Sequence, residues 1–402
     1  MKGPKAMTAH QLFKSLTEEY YAEAERAKKE KRWVGWSTSS FPCEIPEALS
    51  LPVLYPENHA AMLSSKKEAP RFLAEAEREG YSNDLCSYAR INLGYIHSFD
   101  SAERNLVRPD FLLCATNTCH QVLKWFSLLS REFQIPLFLL DVPYQIKGEP
   151  EEKKIRYLRE QAQEILESLA RLSGQSYSPA KMEEVMAVSR ENGKLWQEIL
   201  SLSKNRPSPI NGFDLFVYMS AIVTMKAKKE TTVFLTALKE EIQSRLEKQN
   251  SDFPGKEQHR ILFEGVCCWP CLYEMQLPLI RHQINVVGGE YLRLFGLVYT
   301  DFDDMLKAYA SIPNAMGIDA SLSLRKELVN DLHPEGVLFN LTRSCRIWCG
   351  YYFALERDIR RETSAETLII DSDQADSRNF SFAQYETRVE ALSEMLEEKE
   401  NG

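Results

Sequence analysis

Nine cysteines, at positions 43, 86, 114, 119, 267, 268, 271, 345 and 349, are the residues of this chain best suited to chemistry. A thiolate is both a nucleophile and a soft metal ligand, so its use depends on what surrounds it. Cys86, Cys119 and Cys345 each sit in a polar turn just before or at the start of a helical pattern, in SNDLCSYAR, TNTCHQVLKWF and TRSCRIWCG. Unpaired backbone N–H groups at a helix start assist thiolate formation. If the fold brings the three together, they make a three-thiolate site with one coordination position left for something else. A compact rival is CCWPC, where Cys267, Cys268 and Cys271 include a CxxC pair suited to zinc or an iron–sulfur cluster but without a second local pair. Cys114, inside the apolar run DFLLCA, reads as core, and Cys349 is a spare thiol one helical turn after Cys345.

The elements that must position these thiols alternate. Short apolar runs at 33–36, 53–55, 110–115 and 135–140 each empty into a polar loop and then a helical pattern, and a second set follows at 261–264, 284–287, 336–341 and 367–370. That rhythm predicts βαβ units and parallel sheets, whose reactive loops gather at the C-terminal ends of the strands. Between the two sets the pattern is helical over 151–174, 178–203 and 213–248, with NRPSPING as a break. The expected class is therefore α/β, with two Rossmann-like parallel-sheet domains and an additional helical region. The divisions fall at 1–32 for an N-terminal helical segment, 33–150 for the first α/β domain, 151–255 for the helical region and 256–402 for the second α/β domain. A final amphipathic helix, FAQYETRVEALSEMLEE, turns Tyr385, Val389, Leu392 and Leu396 toward its sheet.

Composition narrows the function. A chain of 402 residues, 44% hydrophobic and 27% charged, reads as a soluble protein of two or three packed domains. Its net charge of -9 and the lack of long basic runs argue against nucleic acid as a partner. No apolar run has the length of a membrane span and the first twenty residues lack a secretory core, which places the protein in the cytoplasm, where a disulfide framework is not expected. Neither GxxxxGK[ST] nor GxGxxG occurs, so the chain shows no ATPase or nicotinamide site of its own, and no GxSxG elbow marks a hydrolase.

The stretches WVGWSTSSFPCEIPEAL, LCSYARINLGYI, FLLCATNTCHQV, RILFEGVCCWP, GVLFNLTRSCRIW and LIIDSDQADSRNFSFAQYETRVEALSEML span nearly the whole chain. In their order it resembles the family of 2-hydroxyacyl-CoA dehydratases and ATP-dependent benzoyl-CoA reductases, and specifically the larger, substrate-binding iron–sulfur subunit. The resemblance implies that Cys86, Cys119 and Cys345 hold one [4Fe–4S] cluster through three cysteine ligands, with an exchangeable fourth ligand. It also implies a second iron–sulfur subunit of similar fold, making a heterodimer, and a separate ATP-dependent iron–sulfur activator. The implied reaction is loss of water from an (R)-2-hydroxyacyl-CoA to give the (E)-2-enoyl-CoA through a ketyl radical, after one electron is added to the thioester carbonyl and later returned. Cys267, Cys268, Cys271 and Cys349 do not match the family's ligand positions.

Further candidates follow from placement. Ser37, at the end of the first strand, is a candidate to hydrogen-bond the exchangeable ligand or the carbonyl, although turn capping explains it as well. The family resemblance, rather than placement, makes Glu57, in YPEN, the carboxylate candidate for handling the departing hydroxide or the β-proton, with helix capping as its plain reading. His120 beside Cys119 is a candidate substrate contact, and Arg90, Arg343 and Arg346 are candidates for the CoA phosphates. Asp371, Asp373, Asp376 and Arg378 are expected to hold loops together. Other functions stay open on the sequence: a benzoyl-CoA reductase subunit, an accessory electron-transfer or scaffold protein, and a protein of iron–sulfur repair or assembly. The acyl group is not legible, and Trp125, Trp269 and Trp348 fit either a pocket or the core.

Overall fold

A computed structural model describes residues 7–98, 106–148 and 150–401. Each apolar run becomes a strand: β1 Gly35–Ser37, β2 Val53–Leu54, β3 Phe111–Ala115, β4 Leu137–Leu140, β5 His259–Glu264, β6 Ile284–Gly288, β7 Gly336–Thr342 and β8 Glu366–Ser372. They form two four-stranded sheets ordered β2-β1-β3-β4 and β6-β5-β7-β8, and every pairing is parallel. Helices cover both faces, which is why FLLCA in β3 and HRILFE in β5 are buried at every position. In each sheet the strand order reverses beside the first strand of its set, between β1 and β3 and between β5 and β7. Those two reversals leave crevices at the strands' C-terminal ends.

The helical region holds four long helices, Glu152–Ser173, Pro179–Ser201, Gly212–Thr224 and Lys229–Glu247. The single helix expected over 213–248 is thus two. The break buries Lys226, which is 2% exposed, 3.7 Å from the carboxylate of fully buried Glu44. Asn192 then donates its amide to the carbonyls of Lys226 at 2.7 Å and Lys228 at 3.0 Å, satisfying backbone that a continuous helix would have paired internally. Glu44 also accepts hydrogen bonds from Ser189, Tyr299 and Tyr309, so this charge is answered on every side.

Three contacts place the loops that matter below. Helices Ala69–Arg78 and Ser87–His97 meet backbone to backbone at Gly94, where an added Cβ would lie 1.9 Å from the carbonyl oxygen of Phe72. Glu264, at the end of β5, accepts the backbone N–H of Glu290 at 3.0 Å and pairs with Arg325 at 2.8 Å. This fixes the start of the short helix Glu290–Arg293, between β6 and β7. The helices Phe302–Ala310 and Ile318–Leu332 complete that crossover. No helix among the described residues is long and apolar enough to cross a membrane.

Burial raises the Glu290 carboxyl from its ordinary value of 4.5 to about 7, against the pull of Arg293 and Arg325. Because the folded value lies above the unfolded one, the unfolded chain releases a proton between those pH values that the folded chain keeps. Folding stability attributable to this group therefore falls as pH rises through that window and is flat above it. Chemical denaturation at pH 5 and pH 8 should show Glu290→Gln losing about 2.5 kcal/mol less than the parent across the interval. Equal losses for the two proteins would remove Glu290 as the linked group.

Candidate active site

Cys119 follows β3 and Cys345 follows β7, so each leaves its sheet at the crevice where strand order reverses. Cys86 arrives from the crossover between β2 and β3. Each is the residue that caps a helix, ahead of Ser87–His97, His120–Phe133 and Arg346–Cys349 respectively. The two sheets present their crevices to each other, and all three cysteines line one cavity between them.

That cavity also takes Ser39, Glu57, Tyr88, Tyr291 and Gln374 into its wall. Gln374 donates to the Cys86 sulfur at 3.3 Å, and Gln121, beside Cys119, accepts the Cys86 backbone N–H at 3.1 Å. Glu57 accepts the backbone N–H of Ser39 at 2.7 Å. Its carboxyl is pushed up by burial, with the Ser39 bond acting the other way. It is the one carboxyl among the described residues lining the cavity.

The donor set can be tested against a metal group on its own chemistry. Burial pushes the Cys86 thiol up to about 12 and the Cys119 thiol up to about 11, and raises Cys345 well above its ordinary value. Repulsion adds to this, from Cys119 on Cys86 and from both on Cys345. Backbone N–H groups of the first helical turn act in the opposite sense at each: Ala89 and Tyr88 for Cys86, Val122 and Gln121 for Cys119, Trp348 for Cys345. Three such thiols ionise together only when a cation replaces their protons. Among the described residues no three His, Cys, Asp or Glu side chains are grouped closely enough for one metal ion. By donor type, three thiolates are soft ligands of the kind that hold zinc or an iron–sulfur cluster.

The remaining candidates lie elsewhere. Ser37 is 1% exposed and donates to the Thr38 carbonyl at 3.1 Å; the serines of its loop that reach the cavity are Ser39 and Ser40. His120 is exposed and does not line the cavity. Arg90 is fully buried and committed to Asp376 at 3.0 Å, Glu77 at 3.1 Å and the Leu85 carbonyl at 3.1 Å, so it is no free cation for a phosphate. Arg343 grips Asp371 through both carboxylate oxygens, and Arg346 is exposed one residue past Cys345. Cys267, Cys268 and Cys271 are buried against the apolar core outside the cavity wall. Tyr88, Gln121, Tyr291 and Gln374 are not evident as site residues from sequence. Gln121 and Tyr88 stand two residues from a cysteine ligand candidate, which is the only signal that points at them.

A family model described as 2-hydroxyglutaryl-CoA dehydratase, D-component, matches residues 38–396. The chain belongs to the 2-hydroxyacyl-CoA dehydratase family. It is 39% identical over 394 residues to the (R)-2-hydroxyisocaproyl-CoA dehydratase alpha subunit of Clostridioides difficile, covering 97% of each chain. It is 35% identical over 395 residues to the (R)-phenyllactyl-CoA dehydratase alpha subunit of Clostridium sporogenes, covering 98% of this chain and 97% of that one. A benzoyl-CoA reductase subunit of Thauera aromatica is 25% identical over 367 residues, 86% of this chain and 84% of that one. Members of this dehydratase family are subunits of hydro-lyases, and the relatives' alpha designation implies a partner subunit.

Within this family member, Arg90 holds the acidic loop after β8 against the helix that carries Cys86. Arg90→Met leaves two carboxylates without their buried partner, and although Arg378 still reaches both, denaturant unfolding should show a loss of about 3 kcal/mol. A change below about 1 kcal/mol would mean that Arg378 alone secures the loop.

Proposed function

We propose that this chain is the [4Fe–4S] subunit of an (R)-2-hydroxyacyl-CoA dehydratase, with Cys86, Cys119 and Cys345 as cluster ligands. The observation that carries the reading is the convergence of three cysteines from three separate stretches on one cavity whose one lining carboxyl is Glu57. Identities of 39% and 35% to dehydratase alpha subunits, against 25% to the benzoyl-CoA reductase subunit, favour water elimination over ring reduction. When bound, the cluster would supply a Lewis-acidic iron at its open position and a low-potential electron for the thioester carbonyl. A second iron–sulfur subunit and an ATP-dependent activator complete the proposed system.

The chain's own residues set the rest. The Ser39 N–H fixes one oxygen of Glu57, and burial favours the protonated carboxyl. Glu57 passes a proton between the β-carbon and the departing α-hydroxide, which leaves as water, and the carboxyl ends the step in the state in which it began. One hydroxide and one β-proton leave and the double bond forms, so the step balances without a further acid or base. The apolar wall formed by Val122, Leu294 and Ile347 keeps solvent from the reacting carbons.

Purified anaerobically, the chain should carry about four irons and matching sulfide, and Cys86→Ala, Cys119→Ala and Cys345→Ala should each lose most of them. A full cluster in all three variants sinks the ligand assignment and turns attention to CCWPC. Glu57→Gln should keep its iron yet lower kcat/KM about 10²- to 10⁴-fold in the activated complex. Parental activity in that variant would show that the proton passes through another group. Sustained turnover after a single round of reductive activation separates a dehydratase from a reductase, which consumes electrons with every product.

A further inference from the structure

A second cavity opens from the first past Ser39, Glu57, Tyr88, Tyr291 and Phe295, which line both. It runs between the helices Ala9–Lys29, Pro56–Ser65 and Gly212–Thr224, and its wall is built largely from Phe13, Met62, Phe216, Met219, Val223 and Leu272. Among the described residues lining the two cavities there is no lysine, arginine or histidine. Glu57 is the one carboxyl among the described residues of either wall.

The cations just behind the wall are spoken for. Lys226 sits 5.1 Å from the ring centroid of Tyr299 and 5.3 Å from that of Tyr309, and pairs with Glu44. Arg325 lies 5.7 Å from the ring centroid of Trp348 and pairs with Glu264. A third, more polar cleft shares Leu294, Leu297 and Ile312 with the cysteine cavity and contains Lys204 and Arg293. There Lys204 is 3.2 Å from Asp331, and Arg293 is 3.9 Å from Glu290 and 3.7 Å from Glu327. Those cations line the separate cleft and are each paired there with a carboxylate of the chain's own.

We propose that the acyl group accepted here is uncharged and apolar, a branched aliphatic or aryl side chain, and that dicarboxylic 2-hydroxyacyl-CoA substrates are rejected. The inference rests on the dehydratase reading and narrows it to a substrate class. A carboxylate buried in these walls loses its water and gains no cation, since the polar groups that share the outer wall, Thr17, Asn58, Ser65 and Ser220, are all neutral. A methyl-branched or phenyl side chain of similar size instead buries its surface against aromatic and aliphatic groups. Discrimination therefore comes from the wall's lack of positive charge more than from its volume.

The test uses the complete system: both subunits, the activator, ATP and a reductant. Four substrates are compared by kcat/KM: 2-hydroxy-4-methylpentanoyl-CoA, 3-phenyllactyl-CoA, 2-hydroxyglutaryl-CoA and the γ-methyl ester of the last, which keeps its chain and loses its charge. The ester should exceed the free acid by at least about a hundredfold, and the two apolar substrates should exceed both. A free acid as good as its ester overturns the inference while leaving dehydration intact. No turnover of any 2-hydroxyacyl-CoA by an enzyme with full cluster content overturns the function on which it rests.

The wall itself supplies a second readout. Ala61, half-buried on helix Pro56–Ser65, lines the outer cavity, and Ala61→Phe should fill it without touching the cysteines. The variant should lower kcat/KM for phenyllactyl-CoA at least about tenfold more than for lactyl-CoA, with iron content unchanged. Equal effects on the long and short substrates would mean that the side chain does not enter this cavity, and would overturn the apolar wall as the source of selection.

Discussion

Everything near the site depends on one buried guanidinium. Arg90 stands on the helix that follows Cys86, has no exposed surface, and reaches across to Asp376 in the loop after β8. Asp373 in the same loop accepts the backbone N–H groups of Ala375, Asp376 and Ser344, and so ties that loop to the turn carrying Cys345. Ser344 in turn accepts the N–H of Ser87. A charge this deep is tolerable only with all its partners in place, so the pairing acts as a register mark between the two sheets. Loops that by themselves would be mobile are held to one geometry by it.

The thiols show why such fixing matters. Helix starts lower a thiol's pKa and burial raises it, and at Cys86, Cys119 and Cys345 burial wins. Burial thus favours the protonated thiols, and the backbone N–H groups of the helix starts act against it, toward the thiolate. Glu57 obeys the same balance: burial favours the protonated form, while Ser39 holds the carboxyl in one orientation.

Much of this is legible in the chain. Eight apolar runs become eight strands, because a parallel sheet covered on both faces leaves a continuous hydrophobic signature with little ambiguity. The polar turns before helices mark the three cysteines that share a cavity, and Glu57 with them. What the sequence hides is long-range. Nothing local distinguishes Ser37 from Ser39 two residues later, since only the turn after β1 decides which side chain faces the crevice. Arg90 reads as an available cation until Asp376, 286 residues away, is seen beside it. The break at Lys226 is equally invisible, because helix propensity favours continuation and the partner Glu44 lies in another part of the chain. The crossover between β6 and β7, where the short helix Glu290–Arg293 and the turn after it bring Tyr291 and Phe295 to the wall, carries too weak a periodicity to stand out.

The spread of the three cysteines along the chain also orders events during synthesis. Cys86 and Cys119 belong to the first sheet, whereas Cys345 appears only after β7, the third strand of the second. A nascent chain carrying the first two therefore has an incomplete donor set for as long as the helical region and the strands that follow take to emerge. Closing so long a loop is favourable only once the second sheet has formed and can present its crevice. If the three thiols hold the proposed cluster, its assembly is a late event gated by tertiary structure, and a truncated chain that still folds its first sheet would have no means of retaining it.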